Sequence, residues 1–151
     1  MLLLKARETV IQYFRPELKR RALTEQQWRV MRVLDALGMA DAGTVAEQAC
    51  ILPPSLTGVL DRMERDGLIL RTRIDGDQRK VWLMLTDKSA SIVHDMHGMV
   101  EAQYRLIEQR LGQRDLQLLY DLLDRIEQLG VGPESAASPS VTVRVPADAA
   151  P

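Results

Sequence analysis

The fold is decided by residues 53–86, which read PPSLTGVLDRMERDGLILRTRIDGDQRKVWLMLT. Apolar residues in the first half recur at helical spacing and share one face: Leu56, Val59, Leu60 and Met63. This pattern predicts a helix that begins at Pro53-Pro54 and ends at Asp66-Gly67. Two apolar, strand-like runs follow, separated by the turn sequence Asp75-Gly76-Asp77. The stretch therefore predicts a helix followed by a β-hairpin with a charged tip.

Three further helices are predicted before this stretch. Apolar residues at three- and four-residue spacing indicate an amphipathic first helix over about 2–20. Thr24 and Gln27 form a capping box that starts a second helix, and Gly38 stops it. A short helix covers about 43–49. The helix that begins at the proline pair is therefore closely preceded by another short helix.

Two more helices are predicted after the hairpin. Thr86 is placed to cap a long helix that runs to about Leu111, where Gly112 breaks it. A last helix covers about 113–129. Gly, Pro, Ser and Ala dominate from there on, so we expect a flexible tail at 131–151.

The order of these elements predicts a winged helix-turn-helix, in which two short helices joined by a tight turn precede a small hairpin. We expect an α+β, mainly α fold of this kind with terminal dimerisation helices. The expected domains are dimerisation helices at 1–22 and 112–130, a DNA-binding domain with a long linking helix at 23–111, and the tail at 131–151.

The first and last helices carry more apolar side chains than one core stripe needs. The last helix holds the larger set: Leu116, Leu118, Leu119, Tyr120, Leu122, Leu123, Ile126 and Leu129. Either a second copy of the chain covers the surplus, or the two terminal helices pack on each other within one subunit.

Composition and charge limit the class of protein. The chain has 151 residues and a net charge of -1, yet residues 1–32 hold eight Lys and Arg against three Asp and Glu. A basic end of this kind steers a polyanion, although it is also typical of a solvated helix face. One cysteine and two histidines allow no intrachain disulfide and no metal cluster. Without a targeting or membrane-spanning segment, we expect a cytoplasmic protein that needs no cofactor.

The outward positions of the helix over 53–65 are small or cationic, which suits an approach to the major groove of DNA. The residues expected to contact DNA there are Pro54, Ser55, Thr57, Gly58, Arg62 and Arg65. The hairpin adds four more: Arg73, Asp77, Arg79 and Lys80. Arginines at a hairpin tip suit the minor groove, and we expect Asp77 to orient Arg79. The alternatives are a merely solvated face, or a winged-helix module that binds proteins and not DNA.

Two of these runs carry a family resemblance. DQRKVWLMLT at 77–86, placed after LTGVLDRMERDGL at 56–68, resembles the wing signature and recognition helix of the MarR family of transcription regulators. The resemblance covers about 1–129. Four shorter runs look like the subgroup that represses operons for homoprotocatechuate (4-hydroxyphenylacetate) breakdown: YFRP at 13–16, LTEQQWR at 23–29, ACIL at 49–52 and PSLTG at 54–58.

This resemblance implies a homodimer, intertwined through its first and last helices, that binds a pseudo-palindromic operator and is released by a small aromatic ligand. The chain departs from the family at two positions. Ser89 stands where the family usually has glycine, and Pro53 stands where the subgroup often has a basic residue. The second departure removes a possible phosphate contact, so operator affinity is expected to differ from that of close relatives.

Three residues are suited to hold an aromatic acid effector: Tyr13, Arg15 and Trp28. An arginine can bind a carboxylate through two parallel hydrogen bonds while aromatic side chains bury the ring. The alternative is that Arg15 is an ion-paired surface residue and Trp28 a core residue.

The remaining reactive residues have weaker patterns. Cys50 is either a redox sensor or a small buried residue. His94 and His97 are three residues apart and could share a metal, but a solvated helix face is the simpler interpretation. No phosphate loop, nucleophile elbow or pair of catalytic carboxylates is recognisable, so the chain is not expected to be an enzyme.

Overall fold

The computed structural model describes residues 1–73 and 81–129. In these residues the chain forms seven helices and three strands: α1 (Leu2–Gln12), α2 (Arg15–Arg20), α3 (Glu25–Leu37), β1 (Met39–Asp41), α4 (Ala42–Gln48), α5 (Pro53–Arg65), β2 (Ile69–Thr72), β3 (Trp82–Leu85), α6 (Asp87–Leu111) and α7 (Gln113–Glu127). The chain divides into two compact units, Met1–Arg105 and Leu106–Pro151. The first unit contains α3, α4, α5 and the sheet, which together form the expected winged helix-turn-helix.

The prediction of one continuous first helix is wrong. The chain breaks at Tyr13 and Phe14 and starts α2 at Arg15. The physical reason is Pro16, which has no N–H to continue the helical hydrogen bonds and is tolerated only in the first turn of a new helix. The break turns Phe14 into the core, where it is 4% exposed.

Helix α3 begins and ends as predicted. The Thr24 hydroxyl accepts a hydrogen bond from the Gln27 N–H at 3.2 Å, and the Gln27 side chain accepts one from the Thr24 N–H at 2.9 Å. This is the predicted capping box. Gly38 ends the helix with a φ of 71°, a value that glycine adopts without steric cost.

Strand β1 is absent from the sequence prediction. It pairs antiparallel with β3, which also pairs antiparallel with β2, so the sheet order is β1-β3-β2. Three residues between a helix stop and a helix cap are too short to show an alternating pattern. Asp41 closes the strand and caps α4 by accepting hydrogen bonds from the N–H groups of Gly43 and Thr44.

The core lies between α3, α4, α5, the sheet and the first part of α6. The predicted inner face of α5 is confirmed, since all four of its apolar residues are buried: Leu56, Val59, Leu60 and Met63. Burial of this face on α3 and β2 leaves the opposite side of α5 exposed.

The last two helices have nearly the predicted bounds, and the hydroxyl of Thr86 caps α6 by accepting from the Ser89 N–H. Gly112 separates them with a φ of 83°. Neither α1 nor α7 has a buried residue. Among residues 1–73 and 81–129, no helix combines the length and apolar character that a bilayer span requires. The predicted tail at 131–151 lies outside the described residues.

Candidate DNA-binding and effector sites

The exposed face of α5 brings six of the predicted DNA-contacting residues together. Five are exposed and one is half-buried: Pro54, Ser55, Thr57, Arg62 and Arg65, and Gly58. The buried face opposite them holds this surface in place. The first turn of α5 contains no acidic residue, so nothing there repels a phosphate.

The amino end of α5 has no free main-chain donor in its first turn. Pro53 and Pro54 have no N–H. The N–H groups of Ser55 and Leu56 both donate to the Leu52 main-chain oxygen, at 2.9 and 3.0 Å. Any hydrogen bond that this end donates to a ligand must therefore come from a side chain.

Two carboxylates on the exposed side of α5 share one strand arginine as their ion-pair partner. Arg71 of β2 reaches Asp61 through Nη2 at 2.5 Å and Glu64 through Nε at 3.1 Å. This bridge was not predicted from the sequence. In the structure Arg71 ties β2 to α5 and offsets part of the negative charge of Asp61 and Glu64.

The described residues contain only one member of the predicted wing contact. Arg73 is exposed just after β2. Asp77, Arg79 and Lys80 lie outside the described residues, so their roles stay predictions.

Arg15 is already occupied by a carboxylate of its own chain. Its Nη2 donates to Glu8 at 2.8 Å, and its Nη1 donates to the other oxygen of the same carboxylate. This pairing holds the pKa of Glu8 below its ordinary value. An open cavity of about 380 Å³ next to Arg15 is lined by Leu18, Lys19, Ala22, Leu23 and Glu25. Neither Tyr13 nor Trp28 lines it.

A second arginine and tyrosine lie together in the first unit, and neither was predicted from the sequence as a site residue. Arg32 Nη1 is 3.4 Å from the Tyr104 hydroxyl, and the Tyr104 ring is 5.2 Å from the ring of Phe14. Trp28 precedes Arg32 by one helical turn on α3, and it is buried. Arg32 and Tyr104 are 72 residues apart, which no local pattern reveals, but the i,i+4 spacing of Trp28 and Arg32 was a usable signal.

Cys50 is exposed, so the interpretation of a small buried residue is wrong. It has a positive φ in the turn between α4 and α5. His94 and His97 are exposed on α6, and His97 is 3.5 Å from Glu101. The described part of the chain contains no group of three or more His, Cys, Asp or Glu side chains that could hold a metal ion.

Comparisons with known proteins agree over most of the chain. A model of the MarR family matches residues 23–81. The chain is 45% identical over 128 residues to the homoprotocatechuate degradative operon repressor of Escherichia coli, covering 85% of this chain and 86% of that protein. The crystal structure of transcriptional regulator PA4135 matches with a TM-score of 0.81 and 43% identity, over 86% of this chain and 96% of that one. NadR in complex with 4-hydroxyphenylacetate matches with a TM-score of 0.74 and 41% identity, over 85% of this chain and 91% of that one.

Proposed function

This chain belongs to the MarR family of transcriptional regulators, and on that premise we propose that it represses an operon for the breakdown of an aromatic acid. A small aromatic carboxylate releases it from the operator. The observation that carries the proposal is the exposed face of α5, where small and cationic side chains lie together with no acidic residue in the first turn. The activity proposed is binding in the cytoplasm and not catalysis.

On the DNA side, α5 enters the major groove and the wing follows the adjacent minor groove. Ser55 and Thr57 are short enough to reach base edges or phosphates, and Gly58 permits close approach. Arg62 and Arg65 contact phosphates. The wing supplies the remaining contacts: Arg73, Asp77, Arg79 and Lys80.

Two copies of the chain bind together. A single recognition helix reads one half-site, and twofold symmetry of the protein matches a pseudo-palindrome with half-site centres about one helical turn apart. Two sets of exposed apolar residues support dimerisation through residues 1–22 and 112–130: Leu2, Leu3, Leu4 and Val10 on α1, and Leu118, Leu119, Leu122, Leu123 and Ile126 on α7.

We place the effector carboxylate at Arg32 in preference to Arg15. Both terminal nitrogens of the Arg15 guanidinium already donate to Glu8. The 3.4 Å hydrogen bond between Arg32 and Tyr104, in contrast, is weak enough for a ligand to replace. Aromatic residues are near it: Tyr104, whose ring is 5.2 Å from that of the buried Phe14, and the buried Trp28, one helical turn before Arg32. A hydroxylated phenylacetate-like acid fits this set, because Arg32 binds the carboxylate and the aromatic residues cover the ring. The sequence-based alternative is a site of Tyr13, Arg15 and Trp28. Substituting Arg32 and Arg15 separately distinguishes the two sites.

The test uses an operator selected from random duplexes by the full chain, labelled with a fluorophore. We expect one dimer per duplex and release on titration with 4-hydroxyphenylacetate or homoprotocatechuate. A coupling of about 1 to 3 kcal/mol would weaken binding roughly 5- to 150-fold. Absence of any selected sequence would favour the protein-interaction module, and a complex that neither acid dissociates at millimolar concentration would refute the effector.

A further inference from the structure

The turn between α4 and α5 contains a strained residue. Cys50 has a φ of 49°, in the left-handed region that non-glycine residues rarely adopt. The turn is a Schellman motif, because the Cys50 N–H donates to the Glu47 oxygen and the Ile51 N–H donates to the Ala46 oxygen. Glycine is the usual residue at the position of Cys50 in this motif. The exposed thiol contributes little packing that would compensate for the strain.

Arg29 of α3 holds this turn from the side. Its Nη1 donates to the main-chain oxygen of Ala49 at 2.6 Å and to that of Cys50 at 3.0 Å. Carbonyls at the end of a helix carry partial negative charge and lack intrahelical donors, so a guanidinium satisfies them well. Arg29 forms no ion pair in the described part of the chain, and its Nε is buried there without a hydrogen-bond partner. Burial lowers the pKa of Arg29 from its ordinary value.

We propose that Arg29 is a positioning residue for DNA recognition, which keeps α5 at the angle that reads the operator by clamping the α4–α5 turn, without touching DNA. The inference rests on the proposed DNA-binding function. Leu52 ends the turn and is the N-cap of α5, so a change in the main chain at Cys50 rotates the exposed face of α5 directly. The strain at Cys50 explains why a clamp is needed.

The first experiment compares Arg29→Met, which keeps an unbranched stem but removes the donors, with Arg105→Met, which removes an exposed arginine of α6. Affinity for the operator and for a scrambled duplex is measured over a salt series. We expect Arg29→Met to weaken operator binding about tenfold, to leave scrambled-duplex binding within about twofold, and to keep the salt slope, because no phosphate contact is lost. Arg105→Met changes none of these. An equal loss on both duplexes with a smaller salt slope would show that Arg29 contacts phosphate and would overturn the proposal.

The second experiment uses Cys50→Gly, which removes the strain. In the Arg29→Met background it restores a large part of the operator affinity, because glycine adopts the left-handed conformation without a clamp. A double variant that folds, as judged by circular dichroism, but binds as poorly as Arg29→Met would overturn the proposal. If Arg29→Met does not fold, Arg29→Lys and the double variant are compared with the wild-type chain in the same way. Wild-type binding to the operator is measured alongside, so failure of the proposed DNA-binding function is recognised separately.

Discussion

The hydroxyl of Ser89 donates a 2.5 Å hydrogen bond to the main-chain oxygen of Leu68. Ser89 is fully buried at the start of α6, and Leu68 follows the end of α5. Two neighbours act in parallel, since Thr86 donates to the Gly67 oxygen at 2.8 Å and Lys88 to the Asp66 oxygen at 2.9 Å. Three side chains from the start of α6 therefore hold three consecutive carbonyls that follow α5. The departure from the glycine that is usual at this position adds one of those three contacts.

We expect Ser89→Ala to lower the free energy of unfolding by about 1 kcal/mol, the usual value for one lost hydrogen bond. Chemical denaturation with urea measures the change. Ser91→Ala is the matched control, because Ser91 is exposed and lies two residues after Ser89 on the same helix. It should change the free energy of unfolding by less than about 0.5 kcal/mol. Equal effects of the two variants would contradict the assignment.

The effector site is tested by exchanging each arginine separately. Arg32→Met is expected to keep operator affinity but to lose release by 4-hydroxyphenylacetate, because the carboxylate loses its cation. Arg15→Met should respond like the wild-type chain, since Arg15 binds Glu8. Fluorescence anisotropy of the labelled operator during ligand titration gives both answers. Loss of the response in Arg15→Met but not in Arg32→Met would instead favour a site of Tyr13, Arg15 and Trp28.

Arg71→Gln should weaken operator binding by roughly three- to tenfold at low salt, because Asp61 and Glu64 are left uncompensated near the phosphates. The loss should shrink as salt increases. Adding Asp61→Asn in the Arg71→Gln background should recover part of the affinity. If Arg71→Gln binds normally at every salt concentration, the carboxylates of α5 do not face DNA.

The contribution that the proposed function assigns to the wing is tested separately. Arg79→Ala is expected to weaken operator binding by at least about tenfold without unfolding the protein, since it removes the minor-groove contact that the proposed function assigns to Arg79. Asp77→Ala should have a smaller effect, because its expected role is to orient Arg79. A gel-shift titration compares the operator affinities of the two variants. An unchanged affinity in Arg79→Ala would refute the proposal that the wing binds the minor groove.

The pairing of Glu8 with Arg15 predicts a pH effect of known sign. Arg15 lowers the pKa of the Glu8 carboxyl in the folded chain, so the pair stabilises the fold above the ordinary carboxyl pKa and this contribution is lost as the pH falls through the lowered value. In Arg15→Gln the pKa of Glu8 should rise toward its ordinary value. A carbon-13 NMR titration of the Glu8 carboxyl measures this pKa directly. Identical titration curves for the wild-type chain and Arg15→Gln would refute the pairing in solution.

Local signals predicted the parts of this fold that local chemistry determines. The Thr24–Gln27 box, the stop at Gly38 and the proline start of α5 each require only neighbouring residues, and all three are confirmed. Pro16 was also a local signal, but the continuous apolar spacing around it favoured one helix. Contacts such as Arg32 with Tyr104 could not be predicted, because tertiary packing alone brings those side chains together.

The two prolines at the amino end of α5 affect how the sequence preference of this regulator could be changed. The main chain of that end has no free N–H to donate to a phosphate, so under the proposed function preference for one operator over another depends on side chains that can be substituted. Ser55 and Thr57 are exposed and contribute no packing to the buried face, which lets their identity vary without loss of the fold. Under the proposed function, a few substitutions on the exposed face of α5 are therefore enough to direct this scaffold to a new promoter.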